Sequence, residues 1–358
     1  MSELVNEVYK FGRAQFVCYN WGSMPELPEV ETIRRGLEKC ITGKKISGVR
    51  VLCDKSFIGP KEVVEGAKVQ RLRRFGKALV IDLDNGVSLI IHLRMTGQLI
   101  AWGFLSGENP QQKKSKTSVS SGVGADDKPA FAGGHPSENF VAKLPNKQTR
   151  VEFDFEGGKL FFNDQRKFGF VKPVPTEEVE QDKFIASLAP EPWDMTGEEL
   201  WAKLQRHKGA PVKAVILDQK VICGLGNIYA DEALYFAKIH PARKAGEVTR
   251  EEAELLIRGA RAVMEKSIES GGSTMATYVK ADGTRGDYLE LFAEVFRREG
   301  KECRRCGAEI LKTRVAGRGT HYCLQCQLCR GFSGGDKLQR KELSEALELR
   351  GHRNKEGD

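Results

Sequence analysis

The chain has 358 residues, of which 40% are hydrophobic and 30% charged, and 57 basic against 49 acidic side chains leave a net charge of +8. That length can bury two or three separate cores, and no apolar run nears the roughly 20 residues that span a bilayer. The basic excess admits nucleic acid as a partner without demanding it. Residues 1–23 carry Glu3 and Glu7 and lack a clean apolar core. They read as neither a secretory signal nor a transit peptide, so an intracellular protein is expected.

Residues Met24–Thr32 read Met-Pro-Glu-Leu-Pro-Glu-Val-Glu-Thr. A Met-Pro start is normally trimmed to leave a terminal proline, whose free secondary amine is a nucleophile, and the carboxylates of Glu26 and Glu29 follow at once. A helix is predicted over Glu29–Cys40, with Pro28 in its first turn and Ile33 and Leu37 on one face. Strands are predicted over Ile46–Leu52, Lys77–Leu83 and Val87–Leu93, the last two joined by the hairpin signal Asp84-Asn85-Gly86. A second hairpin joins Val151–Phe155 to Lys159–Phe162. Residues 24–172 thus read as an antiparallel β-sandwich with a flanking helix. The Ser-, Gly-, Lys- and Pro-rich stretch 105–147 reads as a disordered insertion, with Lys113-Lys114-Ser115-Lys116 a solvated run.

Residues 173–195, bracketed by Pro173-Val174-Pro175 and Pro190-Glu191-Pro192, read as a linker. Helices follow over Thr196–Gln205, Lys213–Leu217, Asn227–Ala237 and Arg250–Ser270, and form a second domain, 196–295. Gly224 and Gly226 would let the backbone approach a ligand, and Asn227 would open a helix whose free N–H groups attract an anion such as phosphate. Taken alone, Lys77 reads as an edge-strand charge and Met95 and Phe168 as core.

Five of the nine cysteines fall within 27 residues of one another, an arrangement of metal-site type rather than a disulfide framework. Cys303-x2-Cys306 and Cys323-x2-Cys326, sixteen residues apart, match a four-thiolate site for one zinc ion, with a β-hairpin between them. With all four positions filled by sulfur the zinc is structural, and Cys329 is a spare thiol. This finger spans 296–330, and Arg297, Arg298, Arg304, Arg305, Arg314 and Arg318 tilt it toward a phosphate backbone. The tail 331–358 is polar and reads as a solvated helix over Asp336–Leu349.

The proline motif, Cys303-Arg-Arg-Cys-Gly-Ala-Glu-Ile and Gly317-Arg-Gly-Thr-His-Tyr-Cys323 resemble the formamidopyrimidine-DNA glycosylase family of repair enzymes. Three further motifs fall in family order: His92-Leu-Arg-Met-Thr-Gly97, Asn163-Asp-Gln-Arg-Lys-Phe-Gly169 and Asp218–Glu232. Leu27 after Pro-Glu favours the formamidopyrimidine branch over the endonuclease VIII branch. The resemblance implies an α+β multidomain protein: a β-sandwich, a helix–two-turn–helix DNA-binding domain and a zinc finger. It implies a bifunctional glycosylase and abasic-site lyase of base-excision repair, acting as a monomer at intracellular DNA that carries oxidised purines or abasic sites.

By the same resemblance Pro25 is the nucleophile, Glu26 the general acid/base and Lys77 a phosphate-binding lysine at the active site, with Glu29 in support. Met95 fills the hole left by the flipped nucleotide. Arg166 and Phe168 contact the orphaned base, Lys213 and Asn227 grip lesion-strand phosphates, and Arg318 meets the phosphate opposite the lesion. The loop from Gly271 to Tyr288 closes over the extruded purine. One departure stands out: the motif begins at residue 24. Either translation starts at Met24, or the leader is removed, or Pro25 stays an amide and the protein binds lesions without cleaving. A zinc-ribbon interaction protein blind to damage is the remaining class.

Overall fold

A computed structural model describes residues 24–104, 129–134, 144–272 and 288–327. Helix α1 (Leu27–Ile41) leads into two antiparallel sheets. One contains β1 (Ile46–Val51), β7 (Thr149–Phe155), β8 (Gly158–Asp164), β5 (Gly97–Trp102) and β6 (Phe131–Gly134), in that order; the other contains β2 (Val69–Phe75), β3 (Ala78–Leu83), β4 (Val87–His92) and β9 (Phe170–Pro175). Inward side chains of both sheets share a core with Ile33, Leu37 and Ile41 of α1. Strand β3 is apolar from Ala78 to Ile81 because both its faces are covered there. Leu79, Ile81 and Leu83 face the sandwich core, while Ala78 and Val80 face a second cluster with Val179 and Ile185.

Two expectations are corrected here. The stretch 105–147 is not without structure: Phe131–Gly134 pairs with β5, from Gln98 with Gly134 to Ala101 with Phe131. Phe131 is held because Gly36 leaves room for it; a Cβ at 36 would sit 2.1 Å from its ring. The run Phe-Ala-Gly-Gly is too short and too glycine-rich to show strand alternation. The linker also starts later than residue 173, since Pro173 and Pro175 lie in β9. That strand is the edge of its sheet, where a missing N–H breaks no ladder.

The helical part consists of α2 (Gly197–Arg206), α3 (Val212–Ile216), α4 (Asn227–Phe236), α5 (Arg250–Glu269) and the single turn α6 (Tyr288–Leu291). Thr196 with Glu199, and Thr249 with Glu252, form capping boxes that start α2 and α5. Their apolar faces make a separate core, and Leu27 of α1 belongs to it while the rest of α1 belongs to the sandwich. The first turn of α1 therefore lies where the two cores meet. Strands β10 (Ile310–Val315) and β11 (Arg318–Cys323) form the cysteine hairpin. No helix among the described residues is long and apolar enough to cross a membrane.

Candidate active site at the junction of the two cores

The start of α1 is fastened to the turn that precedes α4. Leu27 N–H donates to Gly224 O at 3.3 Å. A Cβ at Gly224 would fall 2.3 Å from Leu27 Cδ1, and one at Gly226 would fall 2.3 Å from Glu26 Cδ. These two glycines admit α1 rather than an external ligand. The anion at the N-terminus of α4 is likewise internal. The Glu26 carboxylate accepts N–H groups from Gly226 (2.7 Å), Ile228 (3.0 Å) and Tyr229 (3.5 Å). The expectation that this helix start binds phosphate through its N–H groups is corrected: Glu26 already fills it.

Burial pushes the Glu26 carboxyl up to about 7, against the pull of Lys77 and with the help of Glu29. At neutral pH it is divided between acid and base, as a proton-transfer group must be. Lys77 is no edge charge: it is only 6% exposed, and its ammonium donates to Leu225 O at 2.7 Å. Burial draws it below the ordinary lysine range, and the nearby Glu26 charge opposes that fall. Pro25, next to Glu26 in the chain, is buried.

Glu29 holds the peptide that joins Pro25 to the helix, its Oε2 accepting Glu26 N–H at 2.9 Å. The other oxygen, Oε1, accepts the Tyr229 hydroxyl at 2.6 Å, and Ser267 Oγ lies 2.6 Å from that hydroxyl. The single Tyr229 proton goes to Glu29, so Ser267 donates to Tyr229. Burial, and then the charges of Glu29 and Glu26, hold the phenol well above its usual range and keep it protonated. Tyr229 and Ser267 carried no signal in the sequence, because each reads as an ordinary helix position. Gly272, where the described part of the loop ends, lies against Glu29; residues 273–287 lie outside the described residues.

Two turns of the sandwich carry Met95 and the Arg166–Phe168 pair, and one buried carboxylate fixes both. Asp164 accepts the Thr96 hydroxyl from the first turn, and Arg166 N–H (3.1 Å) and Gly169 N–H (2.7 Å) from the second. Sequence reasoning missed Asp164, whose partner Thr96 lies 68 residues away. Arg94 and Lys167 take left-handed conformations, φ 53° and 57°, within these two turns. Met95 is half-buried. Phe168 is 60% exposed, not core, with the Arg166 guanidinium 5.7 Å from its ring centre.

Lys213 departs from its expected role. It is 0% exposed, paired with Asp231 at 2.7 Å, and donates to Gly319 O (2.9 Å) and Thr320 Oγ1 (2.8 Å). An ammonium enclosed by three internal oxygens joins α3 and α4 to the cysteine hairpin and is not presented to a phosphate. Asn227 is half-buried and adds Nδ2–H to Gly319 O at 3.0 Å. The hairpin is thus braced beside its tip, where Arg318 stands exposed and near enough to Lys77 to oppose its charge.

The four sulfurs of Cys303, Cys306, Cys323 and Cys326 lie within 4.8 Å of one another. Cys303 and Cys326 are 3.9 Å apart and Cys306 and Cys323 3.5 Å apart. A tetrahedron with Zn–S of ~2.3 Å needs S···S of ~3.8 Å, so the set fits one zinc ion. Cys329 lies outside the described residues.

The same three-part plan emerges from comparison with known proteins. The profile of the formamidopyrimidine-DNA glycosylase N-terminal domain matches residues 24–171, that of its H2TH domain residues 188–279, and the zinc finger found in FPG and IleRS residues 300–328. The formamidopyrimidine-DNA glycosylase of Pelotomaculum thermopropionicum is 38% identical over 311 residues, spanning 85% of this chain and 99% of its own. That of Bacillus cereus is 36% identical over 313 residues, with 85% and 99% covered. The Lactococcus lactis enzyme, in crystals with DNA containing an AP site, matches with a TM-score of 0.68 and 30% identity over 85% of this chain and 100% of that one. Its complex with N7-benzyl-Fapy-dG DNA gives 0.69 and 31%, with the same coverage. These likenesses define a DNA glycosylase built with a zinc finger. The chain belongs to the formamidopyrimidine-DNA glycosylase family.

Proposed function

We propose that this chain excises oxidised purines from duplex DNA and nicks the resulting abasic site, using the secondary amine of Pro25. Base-excision repair by a DNA glycosylase follows from membership of the family. The Pro25 chemistry rests above all on one observation: the carboxyl next to Pro25 is buried on the N-terminus of α4 and poised at about 7.

A damaged nucleotide must leave the stack before its sugar can be reached. The Pro25 lone pair then attacks C1′, and the base departs with the electrons of the glycosidic bond and takes up the proton that the amine loses. Protonated Glu26 gives its proton to the ring oxygen as the sugar opens, which leaves an iminium between Pro25 and C1′. The iminium acidifies the C2′ proton. Its loss expels the 3′ phosphate by β-elimination, and a second elimination expels the 5′ phosphate. Lys77 spends one N–H on Leu225 O and has two left for a phosphate beside the sugar. Glu29, held by Tyr229, fixes the backbone of Glu26 and with it the direction of the amine.

Met95, Arg166 and Phe168 are assigned to the gap and the orphaned base, a wedge-and-stack arrangement. Asn227 and Arg318 are assigned to phosphates. Lys213 is reassigned from phosphate contact to support of the hairpin. Duplex DNA with oxidised purines or abasic sites is the inferred partner, the site of action is inferred to be intracellular, and zinc serves structure alone.

The test is a duplex carrying 8-oxoguanine, incubated with the protein and borohydride. Reduction of the iminium should give a covalent protein–DNA adduct, and omission of borohydride should give a strand break with phosphate on both ends. Lesion-selective binding without adduct or break would overturn the enzymatic reading in favour of a damage-binding protein.

A further inference from the structure

Helix α4 holds Glu26 at one end and abuts the cysteine cluster at the other. Tyr235, in its last turn, is buried, and its hydroxyl lies 3.2 Å from Cys303 Sγ. It packs there with Val295, Ala308 and Ile310. Arg305, between the cysteines of the first knuckle, sets its guanidinium 4.2 Å from the Tyr235 ring centre and donates to Tyr235 O at 3.2 Å. The second knuckle is tied to the same end of the helix. Gln327 accepts Cys323 N–H and donates to Ile239 O, each at 2.9 Å.

A cysteine bound to zinc is a thiolate and has no proton to give, so in this pair the phenol donates. A donated hydrogen bond draws charge from the sulfur. The sulfur becomes a weaker base and nucleophile, and its bond to the metal resists protons and electrophiles better. Phenylalanine at 235 would supply the same ring to the core and to Arg305, but not the proton.

We propose that Tyr235 is a positioning residue of the zinc centre: its hydroxyl donates to the Cys303 thiolate, and α4 thereby sets how firmly the finger keeps its metal. The helix that seats the catalytic carboxyl also governs the finger that carries Arg318. Nothing in this depends on Pro25 being a nucleophile.

The experiment compares zinc-loaded wild type with Tyr235→Phe. Metal transfer to a chromogenic chelator under N-ethylmaleimide challenge should be about ten-fold faster in the variant, the usual scale for loss of an outer-shell partner. In cobalt(II)-substituted protein the thiolate-to-metal absorption should move to longer wavelength in Tyr235→Phe, because the sulfur is richer in charge. Arg305→Met, which loses the ring and backbone contacts but keeps the hydroxyl, should leave that band where it is in wild type. Faster release with an unmoved band would reduce Tyr235 to packing and overturn the proposal, as would a wild-type release rate.

Discussion

Gly226 decides where Glu26 sits. Its backbone, at φ −129° and ψ −157°, is open to any residue, so Gly226→Ala adds nothing but a methyl group. That methyl would lie 2.3 Å from Glu26 Cδ and 2.5 Å from its Oε1. The atoms it meets are no free end, because the carboxylate is fixed by N–H groups of Gly226, Ile228 and Tyr229. To regain a contact distance of ~3.5 Å the carboxylate must retreat by about 1 Å and give up at least one charge-assisted hydrogen bond. Overpacking and the lost bond together cost about 2–4 kcal/mol of stability. The chemistry loses more, since general acid/base transfer contributes roughly 10²–10⁴-fold and depends on placement. Single-turnover formation of the borohydride-trapped adduct should fall by about 10²-fold, while zinc content and duplex binding hold. Wild-type trapping by Gly226→Ala would refute the argument that the seat of Glu26 on α4 makes the site work.

Tyr229→Phe removes the hydroxyl that steadies Glu29; adduct formation should slow by about 3–10-fold, one hydrogen bond's worth, with KM unchanged. For pH, the folded pKa of Glu26, about 7, stands above its ordinary value of 4.5. Its stabilising contribution is complete below the ordinary value and lost as pH rises through about 7. Glu26→Gln cannot ionise, so between pH of about 5 and 8 its stability relative to wild type should rise by about 2–3 kcal/mol in urea melts. A constant difference would contradict the raised pKa. Lys213→Met leaves Asp231 buried without its cation and should cost about 3–5 kcal/mol. The salt slope of DNA binding should not change, whereas a phosphate-gripping lysine would lower that slope by about one with little loss of stability.

Local chemistry was legible in the sequence where spacing alone carries it. The Cys-x2-Cys pairs gave the metal site, Asp84-Asn85-Gly86 gave a hairpin, and the periodic stretches gave α1, α2, α4 and α5 to within two residues. Strands β2, β5 and β9 escaped for different reasons: β2 is crowded with arginines, β5 opens at a glycine, and β9 holds two edge prolines. The roles of Gly224, Gly226 and Lys213 were misjudged on a common ground. A glycine-rich turn and a cation near a helix start look the same in sequence whether they face a ligand or another part of the chain. Only the fold brings Glu26 within reach of residues 200 positions away, and only the fold shows that Asp164 and Tyr229 position residues named for the chemistry.

The central claim is that the amine of Pro25 forms the bond to the sugar, and this requires Pro25 to be the first residue of the active protein. Intact mass and N-terminal sequence of protein from its own cells, followed by peptide mapping of the borohydride-trapped adduct, test it together. The account predicts a chain that begins Pro25-Glu26-Leu27 and a DNA adduct on Pro25. A chain that keeps residues 1–24 and yields no adduct, or an adduct mapped to a lysine, would contradict it.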